Sequence, residues 1–365
     1  MEAKKTPLYD EHASLGGKIV NYAGWLLPVQ YEGLVPEHKA VRDAAGIFDV
    51  SHMGSIFVTG KDAKDYLNYL MTNDITKLNI NQIVYTFMCY PDGGVVDDLL
   101  VYKFDEEKYF LVVNAANLYQ DFNWLVENKA DFEVELDNVS NNTCILALQG
   151  PSAERILQEI TNLDLSQLKF FYFEENIKVD GIDARISRTG YTGEDGFEIF
   201  VENKDVVQLW RKLLDVGNQF GIKPAGLGSR DTLRFEAALP LYGNELSKDI
   251  NPLEAGFKFF VKLKKESDFI GKQSLNQQWE NGLERNLVGF EMIDRGIPRE
   301  GYEIYKDDEK IGHVTTGYMS PTLNKNIGNG LIKSSEVELG NEIEILIRNR
   351  KAKAKIIDKN FLKNK

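Results

Sequence analysis

A hairpin predicted in the first third of the sequence limits the folds open to this chain. Residues 84–90 and 95–104 are apolar runs of strand length, and Pro91-Asp92-Gly93-Gly94 between them is a strong turn signal. A hairpin makes the two strands antiparallel, whereas a doubly wound α/β fold needs helical crossovers between parallel strands. We therefore predict an α+β unit in which hairpins and helices pack on one sheet.

Short strands and helices also alternate on both sides of the hairpin. Apolar spacing predicts further strands at 55–59, 109–113, 144–148, 184–188 and 197–201. The helical patterns fall at 34–45, 62–71, 118–126, 151–160, 206–216 and 232–238. After about residue 278 only short strands separated by turn residues follow, which predicts a small all-β barrel or Greek key. A chain of 365 residues is too long for one core, so we expect two or three domains.

The composition excludes several classes of protein. Asp and Glu outnumber Lys and Arg by 56 to 43, and this acidic balance argues against a general nucleic-acid binder. No apolar run approaches the ~18 residues of a membrane helix, and the first residues lack the apolar segment of a signal peptide. The two cysteines and four histidines are scattered, so we expect no metal site. We predict a cytoplasmic protein with reduced thiols that binds neither membrane nor nucleic acid.

Two adjacent aspartates, Asp97 and Asp98, lie within the second strand of the hairpin. Neighbouring side chains on a strand point to opposite faces, so one of the two carboxylates is embedded in an apolar surface. A buried carboxylate needs a partner or a function, because burying it unpaired costs several kcal/mol. The structural alternative is that one aspartate caps the turn and the other is exposed at a strand end.

A glycine-rich segment, residues 188–198, lies between two predicted strands. Its pattern differs from the G-x-G-x-x-G of dinucleotide sites, and it does not open a helix. Glycines there would let the backbone approach a planar ligand, with Tyr191 available to stack or donate. Glu198, one residue into the next strand, could accept paired N–H donors from a heterocycle. The plainer alternative is an ordinary hairpin turn.

A second candidate segment, residues 225–231, precedes the helix predicted at 232–238. A helix N-terminus together with Arg230 would suit a carboxylate or carbonyl oxygen of a ligand. Capping by Ser229 or Asp231, with Arg230 in a surface ion pair, is the alternative. His52 has no nucleophile beside it in the sequence, and we interpret it as structural or as a pocket wall.

Taken together, these motifs form a specific set. They run in one order along nearly the whole chain, at residues 21–25, 46–54, 93–99, 112–117, 148–151, 187–198, 224–231, 251–252, 268–272 and 317–323. In that combination the chain resembles the glycine cleavage T-proteins, the tetrahydrofolate-dependent aminomethyltransferases. The resemblance implies transfer of the methylene carbon from an aminomethyl group on the lipoyl arm of H-protein to tetrahydrofolate. The partners implied are H-protein and the other glycine cleavage components.

The same resemblance implies three domains around a central folate cavity. The first, an α+β domain, would combine residues 1–54 with 138–246. A ferredoxin-like second domain would combine 55–137 with 247–278, and residues 279–365 would form the C-terminal barrel.

The resemblance also assigns roles to single residues. It implies that Asp98 is the catalytic carboxylate and that Glu198 binds the 2-amino and N3–H edge of the pterin. Arg230 resembles the family's folate-contacting arginine. The further pocket residues implied are Tyr191, Tyr85, Asn114 and Met53.

Two alternatives use the same scaffold. One is a non-catalytic folate-binding module, but such relatives diverge around the Asp-Asp strand and carry a cysteine motif that is missing here. The other is the folate domain of sarcosine- or dimethylglycine-type oxidases, which normally comes fused to a flavin domain. The sequence has no G-x-G-x-x-G fingerprint for such a domain, so a stand-alone transferase is favoured.

Overall fold

The computed structural model describes residues 3–363, and within them α-helices and β-strands are mixed along the chain. The helices are α1 (Tyr9–Ser14), α2 (Leu34–Asp43), α3 (Ala63–Leu70), α4 (Leu118–Glu127), α5 (Ala153–Gln158), α6 (Val206–Gly217), α7 (Leu227–Glu236) and α8 (Lys272–Asn281). The strands up to residue 138 are β1 (Lys4–Lys5), β2 (Lys18–Tyr22), β3 (Trp25–Gln30), β4 (Ala45–Asp49), β5 (Gly54–Thr59), β6 (Ile83–Cys89), β7 (Val95–Lys103), β8 (Lys108–Val113) and β9 (Glu135–Asn138). Those that follow are β10 (Thr143–Gln149), β11 (Phe173–Val179), β12 (Ile182–Ser187), β13 (Gly196–Glu202), β14 (Ile222–Pro224), β15 (Arg285–Met292), β16 (Glu303–Lys306), β17 (Glu309–Ser320), β18 (Lys325–Lys333), β19 (Glu342–Ile347) and β20 (Arg350–Ile357).

The chain divides into two compact units, each built from separate stretches of sequence. The first unit runs through Leu67 and also contains Ile75–Tyr85 and Leu99–Leu233. The second contains Asn68–Asp74, Thr86–Asp98 and the chain from Arg234 onward. The three-domain boundaries stay a prediction, and their outer ends at residues 1, 2, 364 and 365 lie outside the described residues.

A six-stranded sheet organises the first unit, in the order β11-β12-β13-β10-β4-β14. On it packs an apolar core that includes Leu146, Ile199 and Trp210, all fully buried. Strand β4 pairs antiparallel with β10 and parallel with β14, so it lies between segments distant in sequence. This arrangement brings the loop after β4, with His52 and Met53, into the same unit as the strand that carries Glu198.

The predicted hairpin is confirmed as β6 and β7, neighbours in a five-stranded sheet of order β6-β7-β8-β5-β9. At the turn, the Tyr90 N–H donates to the Gly94 carbonyl over 2.8 Å. Gly93 has a φ of +95°, a left-handed conformation that glycine adopts without strain. Local turn chemistry therefore determines the register of the strand that contains both aspartates.

The C-terminal region is a closed barrel of order β15-β18-β17-β16-β19-β20, which confirms the α+β class with an all-β barrel. Our sequence analysis missed strand β18, because its Ile-Gly-Asn-Gly-Leu pattern looks like a strand breaker. The barrel interior explains these glycines. A Cβ on Gly328 would lie 2.3 Å from the Phe290 ring, and one on Gly330 would lie 2.4 Å from Ile304.

Helix α7 begins five residues earlier than we predicted, at Leu227 instead of residue 232. We had interpreted Gly226 and Gly228 as loop residues. They lie where α7 packs so closely against strand β3 that a larger side chain would collide with it. A Cβ on Gly226 would lie 2.5 Å from the Val29 carbonyl oxygen, and one on Gly228 would lie 3.0 Å from it. Arg230 therefore lies within the helix and not in a loop before it.

Candidate functional site

The carboxylate of Glu198 ends a chain of hydroxyl groups in the first unit. Glu198 lies on β13 between Ser187 of β12 and Ala147 of β10. The Thr189 hydroxyl donates to Glu198 Oε2 over 2.6 Å, and it lies 2.7 Å from the Ser187 hydroxyl. Tyr102 Oη is 3.3 Å from that same Ser187 oxygen. These contacts hold the Oε2 oxygen of Glu198 in place.

Burial raises the pKa of Glu198 above its ordinary value, and the Thr189 hydrogen bond and the positive charge of Arg230 offset this only in part. The side chain is half-buried, so a ligand can still reach it. A carboxylate whose charge is incompletely stabilised gains most from further N–H donors. The site is therefore suited to a ligand edge that offers two such donors.

The glycine-rich loop before Glu198 is held by Gln149, which is fully buried. Gln149 Nε2 donates to the Thr189 carbonyl over 3.0 Å, and the Thr192 hydroxyl donates to Gln149 Oε1 over 2.9 Å. A Cβ on Gly190 would lie 1.9 Å from that amide oxygen, and one on Gly196 would lie 2.5 Å from the amide nitrogen. Gly190 and Gly196 are therefore required to make room for Gln149, and the approach of a planar ligand to this loop stays a prediction.

Arg230 is positioned by a buried carboxylate at the start of its helix. The Gly226 N–H donates to Glu37 Oε2 over 2.8 Å. The other oxygen of Glu37 accepts from the N–H groups of Tyr31, at 2.6 Å, and Gly33, at 3.0 Å. One carboxylate thus fixes the start of α7 to the loop before α2. Glu37 gave no motif signal, since a single glutamate in a helix is ordinary.

The guanidinium of Arg230 lies 4.7 Å from the centroid of the Tyr191 ring, a cation–π distance. No described carboxylate lies within ion-pair distance of Arg230, which removes the surface ion pair considered above. The Ser229 hydroxyl donates to the Gly226 carbonyl, so it does not cap the helix. Arg230 therefore keeps donors available on the same unit as Glu198.

His52 is buried beside this cluster, with its ring 5.8 Å from that of Tyr22. Burial first, and then the positive charge of Arg230, lower the pKa of His52 to about 4. Its Nδ1 has no hydrogen-bond partner in the described part of the chain. These observations agree with a neutral wall residue and not with a base poised near pH 7.

The two aspartates of β7 differ in accessibility. Asp97 is fully buried, whereas Asp98 is half-buried. The embedded carboxylate is therefore Asp97, and Asp98 is the one that a ligand can reach. Both belong to the second unit, where the Val95 N–H donates to the Ser247 carbonyl over 2.9 Å. A Cβ on Gly94 would lie 2.0 Å from the Lys248 carbonyl oxygen, so glycine permits this close backbone contact.

Three further predicted pocket residues, Met53, Tyr85 and Asn114, belong to the first unit and are half-buried. Met53 packs on the apolar cluster that contains Phe48 and Val50. Tyr85 is on β6, and Asn114 directly follows β8. The structure therefore places all the predicted binding residues in the first unit and the predicted catalytic Asp98 in the second.

Residues 3–363 contain neither a cluster of metal-ligating side chains nor a membrane-spanning helix. No group of three or more His, Cys, Asp or Glu side chains there could hold a metal ion. No described helix is both long and apolar enough to cross a membrane.

Comparisons with known proteins agree along the whole chain. Residues 8–265 match the GCVT N-terminal domain, and residues 285–363 match the glycine cleavage T-protein C-terminal barrel domain. An aminomethyltransferase from Thermoanaerobacter pseudethanolicus is 61% identical over 360 residues, which cover 99% of this chain and 98% of the relative. One from Alkaliphilus metalliredigens is 59% identical over 361 residues, covering 99% and 98%.

A crystal structure supports the same assignment. The glycine cleavage system aminomethyltransferase T from Bartonella henselae superposes with a TM-score of 0.91 at 32% identity, and the match covers 98% of both chains. These relatives are named as transferases, and none of them supports the non-catalytic alternative. With both domains matched and relatives near 60% identity over its full length, the chain belongs to the glycine cleavage T-proteins, the aminomethyltransferase family.

Proposed function

We propose that this chain transfers the methylene carbon of an aminomethyl group, carried on the lipoyl arm of H-protein, to tetrahydrofolate. The products are 5,10-methylenetetrahydrofolate, ammonia and dihydrolipoyl H-protein. The reaction balances because the carbon exchanges its bonds to nitrogen and sulfur for bonds to N5 and N10 of the folate. The hydrogens that N5 and N10 lose go to the departing ammonia and to the released thiol. We further propose the cytoplasm as its compartment, alongside the other glycine cleavage components.

The observation that carries this proposal is the half-buried Glu198 beside Arg230. A reduced pterin offers a 2-amino group and an N3–H side by side, which fit the two oxygens of one carboxylate. Tyr191, on which Arg230 is stacked, supplies an aromatic face and a hydroxyl to the same ligand. Met53, Tyr85 and Asn114 would complete the pocket.

Asp98 would be the catalytic carboxylate. It is the accessible member of the aspartate pair, and its backbone is fixed by the contacts of Gly94 and Val95 in the second unit. Its carboxylate would orient the folate amines and accept a proton as N5 attacks the transferred carbon. The negative charge would also stabilise positive character on that carbon as ammonia leaves.

The test is to supply purified protein with aminomethylated H-protein and tetrahydrofolate, and to measure ammonia and methylenetetrahydrofolate. Asp98→Asn should abolish ammonia release while the Kd for tetrahydrofolate changes less than about threefold, because Asp98 acts on the reacting atoms. Asp65→Asn, which alters an exposed aspartate, is the matched control and should keep full activity. Full turnover by Asp98→Asn would refute its role, and no ammonia release by the wild type would refute the function.

A further inference from the structure

A cluster of lysines and exposed aromatic rings stands out on the second unit. We define the basic aromatic patch as Lys258, Phe259, Lys262, Lys264 and Trp279. Phe259 is 76% exposed and Trp279 is 47% exposed. A contiguous exposed apolar patch marks a candidate interaction site, and aromatic residues are enriched at protein interfaces.

The lysines of the patch form no ion pair in the described part of the chain, although Lys258 and Lys262 donate to the backbone carbonyls of Val261 and Phe259. None of the three has a carboxylate within ion-pair distance among residues 3–363, although many other surface lysines, such as Lys310 and Lys353, do. Lys262 Nζ lies 4.2 Å from the centroid of the Phe259 ring, and Lys258 Nζ lies 5.3 Å from that of Trp279. The patch therefore combines unpaired positive charge with apolar surface.

The three positive charges act on one another. The pKa of Lys258 is lowered, first by burial and then by the charges of Lys262 and Lys264. Exposed carboxylates do flank the patch in sequence, at Glu266 and Glu280. Neither of them forms an ion pair with a lysine of the patch in the described part of the chain.

The patch backbone is held firmly. The Lys262 N–H donates to the Thr72 carbonyl over 2.9 Å, and the Thr72 hydroxyl donates to the Phe260 carbonyl over 3.1 Å. Directly after the patch, Lys265 is buried and donates to the carbonyls of Met71, at 2.8 Å, and Asn73, at 3.0 Å. Phe259 is therefore presented by a fixed segment, which lowers the entropy cost of binding.

The patch also adjoins the hairpin within the second unit. The ring of Phe257, one residue before the patch, is 6.2 Å from that of Phe87 on β6. Strand β6 is the direct neighbour of β7, which carries Asp98. The segment that carries Phe259 therefore packs, through Phe257, against the hairpin that carries the proposed catalytic Asp98.

We propose that the basic aromatic patch docks an acidic surface of the carrier protein that bears the lipoyl arm. This inference rests on the proposed function, which requires such a carrier. The chain has a net charge of −13, so most of its surface repels an acidic partner, and the patch is a place where attraction is possible. The lysines would steer and orient the carrier, and Phe259 and Trp279 would bury apolar area against it.

The test measures binding of lipoylated H-protein to the full chain at two salt concentrations. Lys258→Glu/Lys262→Glu should raise the Kd at least about 10-fold in 50 mM salt, and the effect should shrink to about threefold or less in 0.5 M salt. Phe259→Ala should raise the Kd about 10-fold at both salt concentrations, because burial of apolar area is little affected by salt. In turnover, both variants should raise the KM for the carrier and leave the Kd for tetrahydrofolate unchanged.

Control variants distinguish the loss of docking at the patch from the effects of a changed net charge or of a lost exposed ring elsewhere. Lys18→Glu/Lys39→Glu makes the same change in net charge at exposed lysines of the first unit, and Phe170→Ala removes another exposed phenylalanine ring there. Both controls should bind the carrier as the wild type does, and Lys258→Arg/Lys262→Arg should keep binding. Docking at the patch would be refuted if the patch variants kept the wild-type Kd, or if the control variants lost as much affinity for the carrier as the patch variants do. Failure of the proposed function would instead appear as no ammonia release by the wild type.

Discussion

Replacing Glu198 by glutamine should weaken folate binding strongly while leaving the fold intact. A carboxylate that accepts two N–H donors from a pterin makes two charge-assisted bonds, worth about 1.5–3 kcal/mol each. Glutamine keeps one neutral acceptor, worth about 1 kcal/mol, and turns its amide N–H₂ toward the other donor. The net loss is about 3 kcal/mol, so we expect the Kd for tetrahydrofolate to rise about 150-fold.

The same substitution should stabilise the unliganded protein. The pKa of Glu198 is raised by burial, so the folded protein holds the proton more tightly than the unfolded chain does. Stability is therefore lost as the pH rises through the folded-state pKa, and Glu198→Gln avoids that loss. The variant should melt at a higher temperature than the wild type at pH 8. This advantage should vanish below the ordinary value of 4.5, where both states are protonated.

Calorimetric titration with tetrahydrofolate and thermal melts at pH 8 and pH 4 would measure both effects. Glu202→Gln, at the exposed end of the same strand, is the control and should change neither quantity by more than experimental error. An unchanged Kd for Glu198→Gln would remove this residue from the folate site. A melting temperature at pH 8 below that of the wild type would refute the reasoning about burial.

Two further predictions concern buried basic side chains. Because the pKa of His52 is lowered to about 4, the folded state should lose up to about 3 kcal/mol of stability as the pH falls from 6.5 to 4. Arg230→Met should raise that pKa, and NMR titration of the His52 ring that shows no shift would contradict the coupling. Lys265→Met should lower the free energy of unfolding by about 3 kcal/mol, because the Asn68, Met71 and Asn73 carbonyls lose their buried donor. Urea unfolding would measure this loss, and Lys264→Met, at an exposed neighbour, should cost less than about 0.5 kcal/mol.

Local chemistry made much of the fold predictable from sequence. The turn around Gly93 depends on four consecutive residues, so the hairpin could be located without tertiary information. Helix α6 was predictable for the same reason, since its apolar stripe repeats over three turns. Strand β18 and the start of α7 were not, because their glycines are required by contacts with Phe290 and Val29, far away in sequence.

The candidate site shows the same limit. A strand pattern places Asp97 and Asp98 on opposite faces, but only packing decides that Asp97 is the embedded one. The residues that hold the site in place were missed for a related reason. Gln149 and Glu37 act through buried contacts with segments 40 to 190 residues away in the chain, and no spacing rule connects them.

The position of β4 between β10 and β14 has a consequence for how this chain is made. Ala45 of β4 pairs with Ile222, about 175 residues further along the chain, and the other edge of β4 pairs with β10. At a ribosomal rate of ~5–20 residues per second, β4 emerges roughly ten to thirty-five seconds before its last partner exists. During that interval an apolar strand has unpaired edges, which is the condition that favours wrong pairing between nascent chains. Slow synthesis should therefore harm this protein more than a protein built from consecutive strands, and cellular yield should depend on chaperones that hold β4 until Pro224 is made.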